Sequence, residues 1–85
     1  MGKIYLVKQG VMKKNGDGDY DEIARFTNKA EALKKFNAIK HDTKGWSRSY
    51  DYLETMIEVF KSEEAIEDGD CDTEIIECYD AKLRG

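Results

Sequence analysis

The sequence predicts a small α+β domain with the element order ββαββ, in which one amphipathic helix packs on one face of an antiparallel sheet. An apolar stripe of helical period within residues 28–41 predicts the helix. Stretches rich in β-branched and aromatic residues on both sides of it predict the strands. A chain of 85 residues supplies one small core. Because the helix and the sheet each bury an apolar face against the other, we expect residues 1–85 to form a single compact domain.

The first half of the sheet is predicted as a hairpin. Residues 3–12, KIYLVKQGVM, begin with apolar side chains on both alternating faces, which is typical of a central strand. Gly10 inside this strand indicates a β-bulge. Residues 13–19 contain Asn-Gly and Asp-Gly, the dipeptides most favoured in hairpin turns. Residues 20–26 are therefore expected to form the returning strand.

The helix is predicted from its cap and its apolar stripe. Asn28 is a good N-cap, and Glu31 completes a capping box three residues later. Four apolar side chains fall on one side of a helical wheel: Ala32, Leu33, Phe36 and Ile39. We expect Gly45 to mark the end of the helix.

The second half of the chain is less clear. Residues 52–62 fit an amphipathic helix or a strand, and the β-rich segment 55–60 favours the strand. Residues 63–73 predict an acidic loop around Gly69, and residues 74–81 predict the last strand. Side chains of a regular strand alternate between its two faces. This last strand is therefore expected to place Ile75, Glu77 and Tyr79 on one face and Ile76, Cys78 and Asp80 on the other.

Charge divides the chain into two halves. Residues 1–50 carry 11 Lys and Arg against 6 Asp and Glu, a net of +5, whereas residues 51–85 carry 3 against 12, a net of −9. Either one half attracts a partner of opposite charge, or the two neutralise each other across the fold. No run approaches the roughly 20 apolar residues of a membrane-spanning helix. Residues 1–10 also lack the apolar core of a signal peptide. We therefore expect a cytoplasmic protein that does not bind membranes.

The residue patterns of common enzymes are missing from the sequence. It contains neither of the glycine-rich phosphate-binding motifs nor a nucleophile signature. One histidine, His41, and two cysteines, Cys71 and Cys78, are too few for the four ligands of a structural zinc site. The cysteine spacing, without an export signal, favours free thiols. We expect no enzymatic activity and no cofactor.

A calcium-like turn comes nearest to a metal motif. Residues 15–22 alternate Asn or Asp with Gly, as the start of an EF-hand loop does. Counted from Asn15, however, the sixth position is Tyr20 instead of Gly, and the twelfth is Phe26 instead of Glu. A metal-binding turn therefore ranks third among the functional interpretations.

A basic cluster lies on and just after the helix, and comprises Lys34, Lys35, Lys40, Lys44, Trp46 and Arg48. Basic side chains beside an aromatic ring can follow phosphates and stack on bases, although a lone Trp more often packs at the edge of a core. Nucleic-acid binding is therefore the second interpretation. The strand ending at Phe26, followed by Thr27 and a Lys- and Glu-rich helix, is loosely similar to the N-terminal arm-binding domains of phage integrases. This similarity implies no residue role for the chain.

Acidic residues dominate the C-terminal third, and they are Glu63, Glu64, Glu67, Asp68, Asp70, Asp72, Glu74, Glu77 and Asp80. If they share a surface, they would fit a basic groove on another protein, as a nucleic-acid mimic does. In size and charge the chain resembles phage-encoded inhibitors of host defence. Our leading hypothesis is a non-enzymatic protein-interaction domain that acts as an acidic inhibitor of a nucleic-acid-binding protein. The alternative is an acidic surface that only solvates the domain.

Overall fold

The computed structural model describes residues 3–46, 49–69 and 74–83. In chain order the elements are β1 Ile4–Met12, β2 Gly18–Phe26, α1 Lys29–Ile39, β3 Tyr52–Phe60, α2 Glu63–Glu67 and β4 Glu74–Lys82. The α+β class is confirmed. The predicted order ββαββ with a single helix is wrong, because α2 lies between the last two strands.

The additional helix, α2, falls inside the stretch predicted as an acidic loop. The Ser62 side chain caps it by accepting a hydrogen bond from the Ala65 backbone N–H at 3.3 Å. Glu63 and Glu64 occupy its first turn, where carboxylates are favoured by the helix dipole. The helix is five residues long, which is too short to show a helical period in the sequence.

The sheet has four antiparallel strands in the order β2-β1-β3-β4. The prediction that the first strand is central is confirmed. The strand interpretation of residues 52–62 is also confirmed, because β3 pairs with β1 along its whole length, from Tyr52 opposite Met12 to Phe60 opposite Ile4.

One face of the sheet, which we call the helix face, packs against α1. Val7 and Ile57 are directly opposed on β1 and β3 and form a buried cluster with Ala32 and Phe36 of the helix. Leu33 and Ile39 are half-buried against the same cluster, so the predicted apolar stripe is confirmed. Because strand side chains alternate, the neighbouring positions, including Leu6 and Lys8, face the other side, which we call the second face.

The helix ends earlier than expected and is tied to the sheet at that end. Its last residue is Ile39, and Lys40 is the C-cap, so Gly45 (φ 80°) belongs to a later turn and is not the helix stop. The buried Gln9 side chain donates hydrogen bonds to the Ile39 carbonyl oxygen at 3.3 Å and to the Thr55 hydroxyl oxygen at 3.0 Å. These bonds hold the end of α1 above the middle of β1 and β3.

The connection from α1 to β3 covers the remainder of the helix face. There a second buried cluster is formed by Leu53, Ala81 and Leu83, and Trp46 and Tyr50 are half-buried against it. The helix face is thus covered by α1 at one end and by this connection at the other.

The two edge strands each contain one extra residue. The pairing of β1 with β2 shifts between Val7 and Lys8, which leaves Ile23 as the additional residue of β2. The pairing of β3 with β4 shifts between Ile57 and Glu58, which leaves Ile76 as the additional residue of β4. Because of this extra residue, the side chains of β4 do not alternate regularly between the two faces of the sheet. Ile76 and Tyr79 both pack against the core cluster, whereas Ile75 is 54% exposed. The regular alternation predicted for residues 75–80 is therefore wrong at its start.

Gly10 does not form the bulge that the sequence indicated. It lies opposite Tyr20, in a regular part of the register. A Cβ atom at Gly10 would lie 2.7 Å from the Tyr20 Cα and would collide with the Asp19 carbonyl oxygen. Glycine is needed here because the backbones of β1 and β2 approach closely.

Candidate functional site

The second face of the sheet is covered at one end only. Arg25 lies opposite Leu6 on this face, and its Nη1 atom is 4.0 Å from the Glu63 carboxylate of α2. Helix α2 therefore lies over the end of the second face at which Leu6 and Phe60 are buried. At the opposite end no described element covers the sheet, and the half-buried and exposed side chains there form the candidate site.

We call this uncovered area the open patch, and it consists of Met12, Tyr20, Glu54, Cys78 and Asp80. Glu54 of β3 is directly opposed to Asp80 of β4. The Tyr20 hydroxyl of β2 donates a short hydrogen bond to the Glu54 carboxylate and lies 2.7 Å from the Met12 sulfur. The open patch therefore joins side chains from all four strands, and the close approach at Gly10 sets the position of Tyr20.

The Glu54 carboxylate opposite Asp80 makes Asp80 easier to protonate. A hydrogen bond between Asp80 and Glu54, then burial, then the charge of Glu54 raise the pKa of Asp80 to about 6. Burial, followed by the hydrogen bond to Glu54, raises the pKa of Tyr20 above its ordinary value. At neutral pH the pair is thus strained by repulsion between two carboxylates, and the tyrosine hydroxyl stays protonated.

The thiol of Cys78 is free and exposed beside this pair. Partial burial of the thiol and the charges of Glu54 and Asp80 raise its pKa to about 11. The thiol is thus protonated at neutral pH, and a protonated thiol is a poor nucleophile and a poor metal ligand. One ligand atom from each of Glu54, Cys78 and Asp80 lies within 4.8 Å of the others, but this set has fewer nitrogen and sulfur ligands than a structural zinc site uses.

The predicted acidic residues are divided between two sides of the domain. Glu63, Glu64 and Glu67 are exposed on α2, and Asp68 is its C-cap, so these four lie at the end of the second face that α2 covers, away from the open patch. Glu74 and Glu77 are exposed on β4, where Glu77 is paired with Ile57 at the edge of the helix face. Asp70 and Asp72, which were also predicted to belong to the acidic surface, lie outside the described residues. The acids therefore do not all share one face.

The predicted basic residues have different surroundings. Lys34 and Lys35 line an open groove of about 460 Å³ together with Phe26, Glu31 and Ala38. The Lys40 ammonium is 5.2 Å from the ring centre of Phe36 and 5.3 Å from that of Tyr79. Lys44 is exposed, Trp46 is half-buried against the second core cluster, and Arg48 lies outside the described residues. Lys34 and Lys35 are thus the members that face solvent together in one groove.

The turn proposed as a metal site is held by its own side chains. The Asn15 side-chain oxygen accepts from the Asp17 backbone N–H at 3.0 Å, and its amide donates to the Asp17 carboxylate at 3.3 Å. Asp19 and Asp21 pair with Val11 and Gln9 of the helix face. Among the described residues, the acids of this turn do not form a group of three whose ligand atoms lie within 4.8 Å of one another.

The lysines of α1 and the acids of α2 lie on opposite sides of the sheet, because α1 covers the helix face and α2 lies on the second face. Glu74 and Glu77 remain on the helix-face side. Among the described residues, ion pairs join Lys8 to Glu58 at 2.8 Å and Arg25 to Glu22 at 2.6 Å, and Arg25 also approaches Glu63. None of these pairs involves a lysine of α1. The two charged surfaces therefore do not neutralise each other by direct contact between the helices.

Fold and site together define a four-stranded α+β domain whose sheet is covered by α1 and the α1–β3 connection on one face, and by α2 at one end of the other. No protein-family model, curated protein or solved structure matches the chain. Neither helix of the described part has the length and apolar character that crossing a membrane requires.

Proposed function

We propose that the chain is a non-enzymatic protein-interaction domain whose second face binds a basic segment of another protein. The observation that carries this proposal is the direct opposition of Glu54 and Asp80 on an uncovered part of the sheet. Like charges placed opposite each other on neighbouring strands destabilise a sheet. A lysine or arginine of a partner placed between the two carboxylates would remove this repulsion.

The surroundings of the pair support binding of a protein over binding of a small ion. Met12, Tyr20, Tyr52 and Met56 lie on the same face by register and are half-buried or exposed. Tyrosine and methionine are enriched in protein interfaces relative to other surfaces. The acids of α2 lie at the other end of the second face, and their charge would steer a basic partner towards this side of the domain and accelerate its association at low salt.

The partner that fits this surface best is a nucleic-acid-binding protein. Its basic groove is built to hold phosphates, and carboxylates at similar separations take their place. We propose that the domain occupies such a groove as an inhibitor of the type encoded by phages and mobile elements, and that it does so in the cytoplasm.

The test compares two variants that lose the same two charges. The immobilised wild-type domain is exposed to a lysate of the organism in which it acts, at low and high salt, and retained proteins are identified. Glu54→Gln with Asp80→Asn removes the opposed pair, whereas Asp19→Asn with Asp21→Asn removes two exposed carboxylates from the other face of β2. We expect a nucleic-acid-binding protein to be retained at low salt by the wild type and by the second variant only.

Two results would contradict the proposal. Retention of no specific protein at low salt would remove the interaction function. Equal loss of the partner from both variants would show that overall charge, and not the open patch, governs binding.

The second candidate function, nucleic-acid binding, is favoured by the groove beside α1. Phe26 and Ala38 give it an apolar part, and Lys34 and Lys35 supply cations that can contact phosphates. A labelled single-stranded oligonucleotide should then show an electrophoretic shift that weakens with salt. The shift should be lost in Lys34→Glu with Lys35→Glu and retained in Lys13→Glu with Lys14→Glu, which changes two exposed lysines of the β1–β2 turn. A shift that is absent at low salt, or equal in both variants, rules out the groove.

A further inference from the structure

The fourth strand offers a partner an edge as well as a face. β4 is the last strand of the sheet and pairs only with β3 among the described strands. In an antiparallel strand, the backbone N–H and C=O groups that do not bond to one neighbour point towards the other side. Along β4 these groups therefore point away from the sheet, where an extended segment can bond to them.

The regular part of this edge is short and well defined. Residues 77–82 pair with residues 57–52 of β3 without interruption. The extra residue, Ile76, breaks the pairing at the N-terminal side, and a bulge of this kind prevents a neighbouring strand from continuing in register. An added strand is thus limited to residues 77–82.

The charge of the edge selects the incoming strand. Residues 77–82 carry two exposed carboxylates, Glu77 and Asp80, on opposite faces of β4, and one exposed cation, Lys82, on the same face as Asp80. Glu54 lies directly beside Asp80. Two copies of β4 paired with each other would bring these carboxylates together, which disfavours self-association. A strand with lysine or arginine at alternating positions would instead place cations beside Asp80 and Glu54.

We propose that residues 77–82 of β4 bind an extended, basic segment of the partner by β-strand addition. This inference rests on the proposed function, and it specifies how the partner is held: by backbone hydrogen bonds along the edge and by alternating cationic side chains beside the open patch. The acids of α2 would contribute to approach and would not contact the added strand.

The experiment uses three short capped peptides with the isolated full chain. One alternates arginine with threonine, one has the same composition with its arginines in a single block, and one is the alternating peptide with methylated backbone nitrogens. Methylation removes the N–H donors while leaving every charge in place.

Binding is followed by shifts of backbone amide signals and by hydrogen exchange at the outward-pointing amides of residues 77–82. Glu77→Lys with Asp80→Lys tests the edge, and Glu63→Lys with Glu64→Lys on α2 is the control with the same charge change.

We expect the alternating peptide to slow exchange of the outward amides and to bind at least about tenfold more tightly than either other peptide, a difference of about 1.4 kcal/mol. The edge variant should lose this protection and the α2 variant should retain it. Equal binding of the methylated peptide, with shifts spread over the open patch and α2, would overturn strand addition while leaving the basic-partner proposal standing. No shift with any peptide at low salt would overturn both.

Discussion

The opposed carboxylates of the open patch give the domain a stability that depends on pH in an unusual direction. The pKa of Asp80 is raised from 3.8 to about 6 in the folded state, first by its hydrogen bond with Glu54. The folded chain therefore holds a proton that the unfolded chain has released between about pH 4 and pH 6. A raised folded-state pKa contributes stability at low pH, and this contribution is lost as the pH rises through 6.

The size of the effect follows from the shift and from exposure. A change from 3.8 to about 6 would correspond to roughly 3 kcal/mol if the pair were fully shielded from water. Asp80 is exposed, so solvent screening reduces the contribution to about 1 kcal/mol. Asp80→Asn removes one charge and supplies a permanent hydrogen-bond donor for Glu54. We therefore expect the variant to be about 1 kcal/mol more stable than the wild type at pH 7 and nearly equal to it at pH 4.

Urea unfolding at pH 4, 5, 6 and 7, followed by circular dichroism, would measure this difference. Subtracting the two proteins at each pH removes the titration of the other carboxylates, which both share. Asp21→Asn, an exposed carboxylate on the helix-face side of β2, is the matched control and should show no such rise. A difference between Asp80→Asn and the wild type that is the same at pH 4 and pH 7 would refute the reasoning. So would a variant that is less stable at pH 7.

Three further predictions concern the core, a backbone contact and the thiol. Phe36→Ala, at a site that is 2% exposed, should cost about 3–5 kcal/mol and lower the thermal midpoint sharply; an unchanged midpoint would contradict the packing of α1. Gly10→Ala should cost about 1–3 kcal/mol in urea unfolding, because its Cβ collides with the Asp19 carbonyl oxygen, and an unaltered midpoint would show that β1 and β2 can separate there. In a Cys71→Ser chain, iodoacetamide should alkylate Cys78 much more slowly than free cysteine at pH 7.5, with a rate that rises only towards pH 11; a rate equal to that of free cysteine would show that burial and the acid pair do not act on the thiol.

The elements with strong local signals were predicted from the sequence. Asn28 accepts from the Ala30 and Glu31 backbone N–H groups at 2.8 and 3.3 Å, as an N-cap should. Because the cap and the apolar stripe of α1 are both local, neither depends on the remainder of the chain. The strand β3 was also predictable, since β-branched residues favour a strand at a site where a helical pattern fits equally well.

The candidate site was not predictable in the same way. Glu54 and Asp80 are 26 positions apart in the chain, and only the pairing of β3 with β4 brings them together. That pairing depends on strand order and on the bulge at Ile76, neither of which leaves a clear signal in a single sequence. Acidic residues are depleted in strands, but this signal does not single out the pair, because the predicted strands also contain Asp21, Glu22, Glu58, Glu74 and Glu77.

The separation of charge between the two sides of the sheet gives the molecule a preferred orientation in an electric field. Its net charge is only −4, but the lysines of α1 lie on one side of the sheet while the acids of α2 and the open patch lie on the other; Glu74, Glu77 and the cations of the second face reduce this separation. An uneven distribution of this kind gives the molecule a dipole moment in addition to its net charge. On an anion-exchange resin it should be retained more strongly than another protein of equal size and net charge, because it can turn its negative side towards the matrix. The same rotation would present the carboxylates first whenever the domain approaches a positively charged surface.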